Sequence, residues 1–375
     1  MKLRNTCIIF FLSLLKVQFD IKKVNEQIIN KTINNNNIKI ILYWTKFWNR
    51  NYPIGLGSNP FRGCKYKNCY TTFNRSFVHT EDFDAVLFHG SIYNPKIHGR
   101  PEIRNVNQRY IYFNLEAPSN KIYYNPNFTL FNNFYNLTIT YRFDSDVRIR
   151  YGSIRKRKTN RHFPTAKDVE KKTKLVAWFV SHCKTTSKRE DLVKAMQKYV
   201  PVDVYGKCGN LSCARSGYLS MDHCYNLLER DYKFYLSFEN SLCKDYFTEK
   251  LYYVLPKTII PIVYAGHDET ILAPPNSFIN IKDFENVKSL VEYMLFLDSN
   301  TTEYLKYFQW RQDYVIWTNP TRCELCEKLN EPLTPKIYEN FYDWNWGNTS
   351  HPLCLVGDNL PPIVRYSQEI NNDKS

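Results

Sequence analysis

The stretch "YKFYLSFENSLCKDYFTEKLYYVL", Tyr232 to Leu255, carries the first clear signature of the fold. "FYLSF" reads as a buried strand, and Glu239 and Asn240 fall in a polar loop behind it. Thr248 is placed to cap a helix whose first turn holds Glu249 and Lys250. The spacing fits two readings of these polar residues equally. One is a strand end followed by an ordinary helix with a solvated Glu-Lys pair. The other is an anion site, in which Lys250 and the helix N-terminus attract a diphosphate and Glu249 accepts hydrogen bonds from sugar hydroxyls.

The same strand-then-helix rhythm extends on both sides. "KLVAWFVS" (Lys174 to Ser181), "VDVYG" and "IIPIVYAG" read as strands. "KREDLVKAMQKYV" (Lys188 to Val200), with Leu192, Val193, Met196 and Tyr199 on one face, and "NVKSLVEYMLFL" read as helices. Such alternation predicts an α/β domain with an open parallel sheet, whose ligands sit at the carboxyl ends of the strands. Ser181, Gly206, Asn240 and Gly266 fall at those ends. No G-x-G-x-x-G or G-x-x-x-x-G-K-S/T occurs, which excludes the glycine-loop phosphate devices of dehydrogenases and P-loop enzymes. Upstream, "IKIILYWTKFW", "DAVLFHG" and "RYIYFNLEAP" read as further strands and fill a first domain.

A chain of 375 residues with 43% hydrophobic and 16% aromatic content supports two domains of ordinary size. The expected organisation is a segment 1–37 holding a short signal-anchor-like run and an Asn-rich stem, a first domain 38–150, a basic linker 151–173, a second domain 174–322 and a Cys-containing tail 323–375. The net charge of +15 favours anionic partners, but the basic run Arg148 to Arg161 has no helix-turn-helix, RNP or zinc-finger spacing around it, so nucleic acid is not expected as a partner. The apolar run Cys7 to Leu15 is shorter than the roughly 20 residues that span a bilayer, and suits a signal core or an abbreviated anchor. Eleven cysteines and sequons at Asn30, Asn74, Asn127, Asn136, Asn210, Asn300 and Asn348 point to the secretory lumen. At "CELC" a disulfide is favoured over zinc, because no second C-x-x-C accompanies it.

The opening stretch closely resembles the donor-binding motif of the alpha-1,3-fucosyltransferases of glycosyltransferase family 10. Further blocks follow in the family's order: "RYIYFNLEAPSN", "NLTITYRFDSDVRIRYG", "KLVAWFVSHC", "VDVYGKCG", "IPIVYAG", "APPNSFINIKDF" and "YLKYFQWR". The resemblance implies a GT-B fold, two Rossmann-like domains facing across a cleft, and an inverting transfer of L-fucose from GDP-fucose to the 3-hydroxyl of an N-acetylglucosamine residue on a glycoprotein or glycolipid glycan. It makes Glu116 the general base, contributed by the first domain. It places Tyr151, Ser181, Arg189, Tyr235, Asn240, Tyr246, Glu249 and Lys250 around GDP-fucose, with Arg189 and Lys250 at the diphosphate and Glu239 as structural support. His182 stands where the family commonly has Asn.

The resemblance also implies a Golgi membrane enzyme, single-pass type II with a luminal catalytic domain, or a secreted form of it. No obligatory cofactor is expected, and Mn²⁺ would act only as a stimulant. "DSD" (Asp144 to Asp146) is read as structural or interdomain, with Arg142 as its partner, rather than as a metal site. Cys64 and Cys69 are the implied partners of Cys323 and Cys326, in an order left open, across the two domains. The alternatives are a transferase using another sugar nucleotide, with "DSD" holding a metal, and a catalytically silent glycan-binding homologue.

Overall fold

The computed structural model describes residues 37–48, 50–119, 128–158, 163–213, 222–266, 273–318, 322–348 and 350–372. The expected anchor run, nearly all of the Asn-rich stem and the sequons at Asn30 and Asn127 lie outside them. The chain divides into two compact units, each with a parallel sheet, which is the two-domain α/β class expected of GT-B proteins.

The first unit comprises Met1–Asn114, Phe134–Ile139 and Arg322–Tyr338. Its strands β1 (Lys39–Tyr43), β2 (Cys69–Thr72), β3 (Ala85–His89), β4 (Arg109–Asn114) and β5 (Leu137–Thr140) lie in the order β2-β1-β3-β4-β5. Parallel pairs join β1 to β2 and β3, and β3 to β4. Every residue of "AVLFH" in β3 is buried. A parallel strand covered on both faces has no polar side to show, and so reads as an unbroken apolar run. His89 ends that run inside an aromatic cage, with its ring 4.7 Å from that of Phe47 and 4.9 Å from that of Trp48.

Helix Cys323–Asn330 carries the "CELC" cysteines one turn apart, so both reach the same neighbour. Cys64 bonds to Cys323 and Cys69 to Cys326. These bridges were expected to staple the two domains; both ends of each belong to the first unit, because Arg322–Tyr338 returns to it.

The second unit comprises Leu115–Asn133, Thr140–Thr321 and Glu339–Ser375. The expected limits therefore differ from the compact units. The segment containing Glu116 groups with the second unit, as do the residues from Thr140 through the expected linker, and the tail is shared between the two. The sheet holds β6 (Lys174–Phe179), β7 (Val202–Tyr205), β8 (Tyr232–Phe238), β9 (Ile260–Tyr264) and β10 (Ile279–Asn280), in the order β10-β9-β8-β6-β7 with all pairs parallel. Pro261 is tolerated in β9 because β10 pairs only with Ile262 and Val263, so on that side the proline has no strand asking for its missing N–H.

Helices α1 (Arg189–Met196), α2 (Asp222–Asp231), α3 (Glu249–Tyr252) and α4 (Val287–Ser299) follow β6, precede β8, and follow β8 and β10. Leu192, Val193 and Met196 of α1 are buried as expected, but the helix stops before Tyr199, which is 45% exposed. Helix α4 is closed at its start by Asn286, whose side chain accepts from the Ser289 N–H at 3.0 Å. The C-terminal helix Pro362–Asn372 buries Ile363 and Val364 in the same core, and Gln368 donates to Asp191 of α1 at 2.9 Å.

Candidate active site

In the second sheet the chain runs from β6 outward to β7, then returns to lay β8 on the other side of β6. The loops leaving β6 and β8 consequently part in opposite directions, and a crevice opens between their carboxyl ends. A cavity of about 580 Å³ lies there, within the usual size range of small-ligand sites. All nine residues assigned from the family resemblance line it: Glu116, Tyr151, Ser181, Arg189, Tyr235, Asn240, Tyr246, Glu249 and Lys250. All belong to the second unit.

The crevice stays open because Gly206, at the end of β7, has φ +101° and sits against the carbonyl of Val180. A Cβ there would lie 2.4 Å from that oxygen, so a larger residue would force the two loops apart. A disulfide from Cys183 to Cys208 ties the same two loops together, and a second, Cys213 to Cys224, ties the cavity rim to α2. The cluster Cys213, His223 and Cys224 has ligand-like spacing, but its sulfurs are joined to each other and are not thiolates.

Arg189, first residue of α1, is 3% exposed. Its Nη1 donates to the Phe238 carbonyl at 2.6 Å and its Nη2 to the His182 carbonyl at 3.3 Å, so the guanidinium spans both lips of the crevice. Burial lowers its pKa, with Glu239 and Glu190 opposing; an arginine so placed remains cationic. Its Nε, and Oδ1 of Asn240, are buried without a hydrogen-bond partner among the described residues. A donor and an acceptor left unmatched in one cavity wall are costly unless a ligand or water meets them.

Helix α3 is a single turn, shorter than expected of "TEKLYYVL". Pro256 follows too closely for the helix to continue. Thr248 caps it as expected, its side chain accepting from the Lys250 N–H. One turn aligns too few peptide dipoles to act as the anion seat proposed for a longer helix. The positive charge is that of Lys250 itself, whose Nζ lies 3.0 Å from Glu239 Oε2, 2.7 Å from Thr248 Oγ1 and 3.5 Å from Glu249 Oε1.

Glu239 is 2% exposed and also accepts from the Thr248 N–H and Oγ1, each at 2.8 Å. It acts as the support for Lys250 and for the helix cap. Burial works against both charges of the neighbouring pair, yet Lys250 is held above and Glu249 below its ordinary pKa, because each faces the opposite charge. Glu249 therefore presents an ionised acceptor to the cavity.

Tyr246 follows the sharp turn at Asp245, which has φ +62°. Its hydroxyl donates to Glu116 Oε2 at 3.4 Å, and its ring packs tilted, 4.9 Å from that of Tyr141. Tyr151 donates to the carbonyl of Leu115, the neighbour of Glu116, at 2.6 Å. Burial foremost, then the Glu116 charge, push both phenols well above their ordinary pKa, so both remain protonated donors.

The sequence reading did not assign the aromatic wall of Phe179, Tyr205, Tyr225 and Tyr253 that completes the cavity beside Tyr235. The Phe179 ring lies 5.1 Å from Tyr205 and 5.7 Å from Tyr235, at steep interplanar angles. Such a surface suits a planar heterocycle. Its members look like core residues in sequence; Phe179 and Tyr205 end strands, where a position at the carboxyl edge could have marked them, whereas Tyr225 lies within α2 and Tyr253 just after α3. His182 also lines the cavity, its pKa lowered by burial and then by Arg189, Lys250 and Lys207.

Asp144 of "DSD" is taken up in an ion pair. Arg142 grips Asp144 through Nε at 2.8 Å and Nη2 at 2.5 Å, and donates to the Trp344 carbonyl at 2.5 Å. With both oxygens of Asp144 engaged by a guanidinium, the pair is poorly set to chelate a cation.

Comparison with known proteins gives a consistent picture. Residues 36–152 match the family described as "Fucosyltransferase, N-terminal", and residues 169–344 match "Glycosyltransferase family 10 (fucosyltransferase) C-term". The chain is 35% identical to alpha-(1,3)-fucosyltransferase C of Drosophila melanogaster over 341 residues, covering 83% of this chain and 78% of that protein. It is 34% identical to alpha-(1,3)-fucosyltransferase fut-1 of Caenorhabditis elegans, covering 86% and 72%. Among solved structures, an alpha1,3-fucosyltransferase with GDP-fucose aligns at TM-score 0.47 and 18% identity, over 81% of this chain and 92% of that one.

Proposed function

The chain belongs to glycosyltransferase family 10, the fucosyltransferases, and on that premise we propose that it moves L-fucose from GDP-fucose to the 3-hydroxyl of an N-acetylglucosamine residue in N-glycans or related glycoconjugates, with inversion at the anomeric carbon. The observation that carries this reading is the gathering of Glu116, Arg189, Glu249 and Lys250 on one cavity of a fucosyltransferase chain. Names of relatives support the linkage, since both invertebrate proteins are alpha-(1,3)-fucosyltransferases.

In this mechanism the Glu116 carboxylate takes the proton of the acceptor hydroxyl as its oxygen attacks the fucose anomeric carbon. The bond from that carbon to the diphosphate breaks, and GDP departs with added negative charge. Arg189, as a fixed fork already spanning the crevice, and Lys250, as a point charge braced by Glu239, stabilise the departing anion. Glu249 accepts from donor sugar hydroxyls, Tyr235 and the aromatic wall cover the base, and Asn240, Ser181 and Tyr151 supply further polar contacts. These groups need no obligatory metal, and Mn²⁺ is proposed to stimulate at most.

The five disulfides among the described residues support an oxidising compartment. We place the enzyme in the Golgi lumen as a single-pass type II membrane protein, or in a secreted form; no helix among the described residues is long and apolar enough to cross a membrane.

Incubation of the chain with GDP-fucose and a panel of glycans bearing N-acetylglucosamine, with mass spectrometry of the products, tests the reading. A product heavier by one fucose, linked to the 3-hydroxyl, is expected. Folded protein that binds GDP but transfers to none of the panel would refute the proposed activity and favour a silent glycan-binding homologue.

A further inference from the structure

We propose that Tyr246 is a positioning residue for the base: its phenol sets the orientation of the Glu116 carboxylate, and its place in the site is not that of a donor contact alone. The inference rests on the fucosyl-transfer reading above. Tyr246 Oη lies 3.4 Å from Glu116 Oε2, and the phenol can only donate there, because the carboxylate offers acceptors alone.

The rest of the ring is fixed independently of any ligand. It is 2% exposed and packs with Ala117, Tyr141 and the Cys243–Cys354 disulfide in one apolar cluster. Ala117, the neighbour of Glu116 in sequence, belongs to the same cluster, so the packing that fixes the Tyr246 ring also holds the chain beside the base. Ser119, two residues further on, approaches Thr186 Oγ1 and Cys243 Sγ, each at 3.3 Å. Tyr151 completes the brace by donating to the Leu115 carbonyl at 2.6 Å. The base thus sits on a loop held at Leu115, Ala117 and Ser119, and Tyr246 is the member that reaches its reacting group. The other titratable or charged groups lining this cavity are His182, Arg189, Glu249 and Lys250, with the phenols of Tyr151, Tyr205, Tyr225, Tyr235 and Tyr253, and Glu239 behind Lys250.

Geometry of a general base decides rate and not affinity, so the consequence is specific. A hydroxyl donating to a carboxylate favours its ionised form; without it the base protonates at higher pH. Tyr246→Phe keeps the ring and removes the hydroxyl. In the full chain, kcat is expected to fall by about tenfold or more, with the KM for GDP-fucose and the affinity for GDP unchanged. The acidic limb of the kcat profile should move to higher pH.

Unchanged kcat and an unmoved limb in an active, GDP-binding variant would overturn the proposal, as would a rise in KM alone, which would make Tyr246 a donor contact. Tyr151→Phe serves as the second variant should Tyr246→Phe fail to fold. It touches the backbone beside the base, and should lower kcat without moving the limb; a raised KM with unchanged kcat would count against the brace. Failure of the wild-type chain to transfer fucose would instead refute the underlying reading, which keeps the two outcomes apart.

Discussion

At the scale of single residues, the decisive feature is the way buried charges are matched. Lys250 would be an expensive cation in its pocket without Glu239, and among the described residues no other cation forms an ion pair with Glu239. Glu239→Gln keeps the shape and loses the charge. It is expected to raise the KM for GDP-fucose about tenfold and to destabilise the fold by about 1–3 kcal/mol, read as a lower Tm. His89 poses the opposite case. Burial depresses its pKa to about 3, from an ordinary value near 6.5, so the folded chain holds it neutral where the unfolded chain would protonate it. Stability from this group is therefore full above about pH 6.5 and is lost as pH falls toward 3, at about 1.4 kcal/mol per pH unit. His89→Leu should flatten the stability-versus-pH curve in that window; an unchanged acid slope would contradict the assignment. Little of this was legible in the sequence. Glu239 and Lys250 stand eleven positions apart and meet only because the chain turns at Asp245. The aromatic wall was hidden because Phe179, Tyr205 and Tyr225 have the composition of a core.

At the scale of elements, the strands were legible and the helix ends less so. "AVLFH" and "FYLSF" announce buried parallel strands by composition alone, and both are found where expected. Helices α1 and α3 end early, since amphipathic spacing reports which residues would share a face and not where tertiary packing stops a helix. The family resemblance paired Cys64 and Cys69 with Cys323 and Cys326, in an order left open, and the structure holds those pairs. The partners of Cys183, Cys213 and Cys243 lay beyond the reach of sequence, because connectivity depends on which loops the folded sheet brings together. Cys183–Cys208 joins the two loops on which Ser181, His182 and Gly206 stand. Replacing both cysteines by serine should loosen those loops, costing about 2–4 kcal/mol of stability and raising the KM for GDP-fucose while kcat changes little. An unaltered KM in the destabilised variant would show that the bridge serves the fold alone.

At the scale of the whole molecule, the two units and their disulfides recast one reading of the sequence. The C-terminal cysteines return the chain to the first unit, and the loop bearing Glu116 groups with the second, so base and donor-side residues share a unit. The sequons also separate by structure. Asn136 spends its amide on the Lys336 carbonyl and its oxygen on the Tyr110 N–H, each at 2.8 Å, with Arg104 as a further donor. Asn210 is exposed in the loop after β7. Peptide mapping of chain made in a secretory host should find Asn136 unmodified.

The central claim is that one cavity holds the nucleotide with Arg189, Glu249 and Lys250 while Glu116 performs the proton transfer. Glu116→Gln, measured side by side for fucose transfer and for GDP binding by calorimetry, tests it most directly. The account predicts loss of transfer by at least about a hundredfold with GDP affinity retained. Transfer at the wild-type rate, or loss of GDP binding together with transfer, would contradict it.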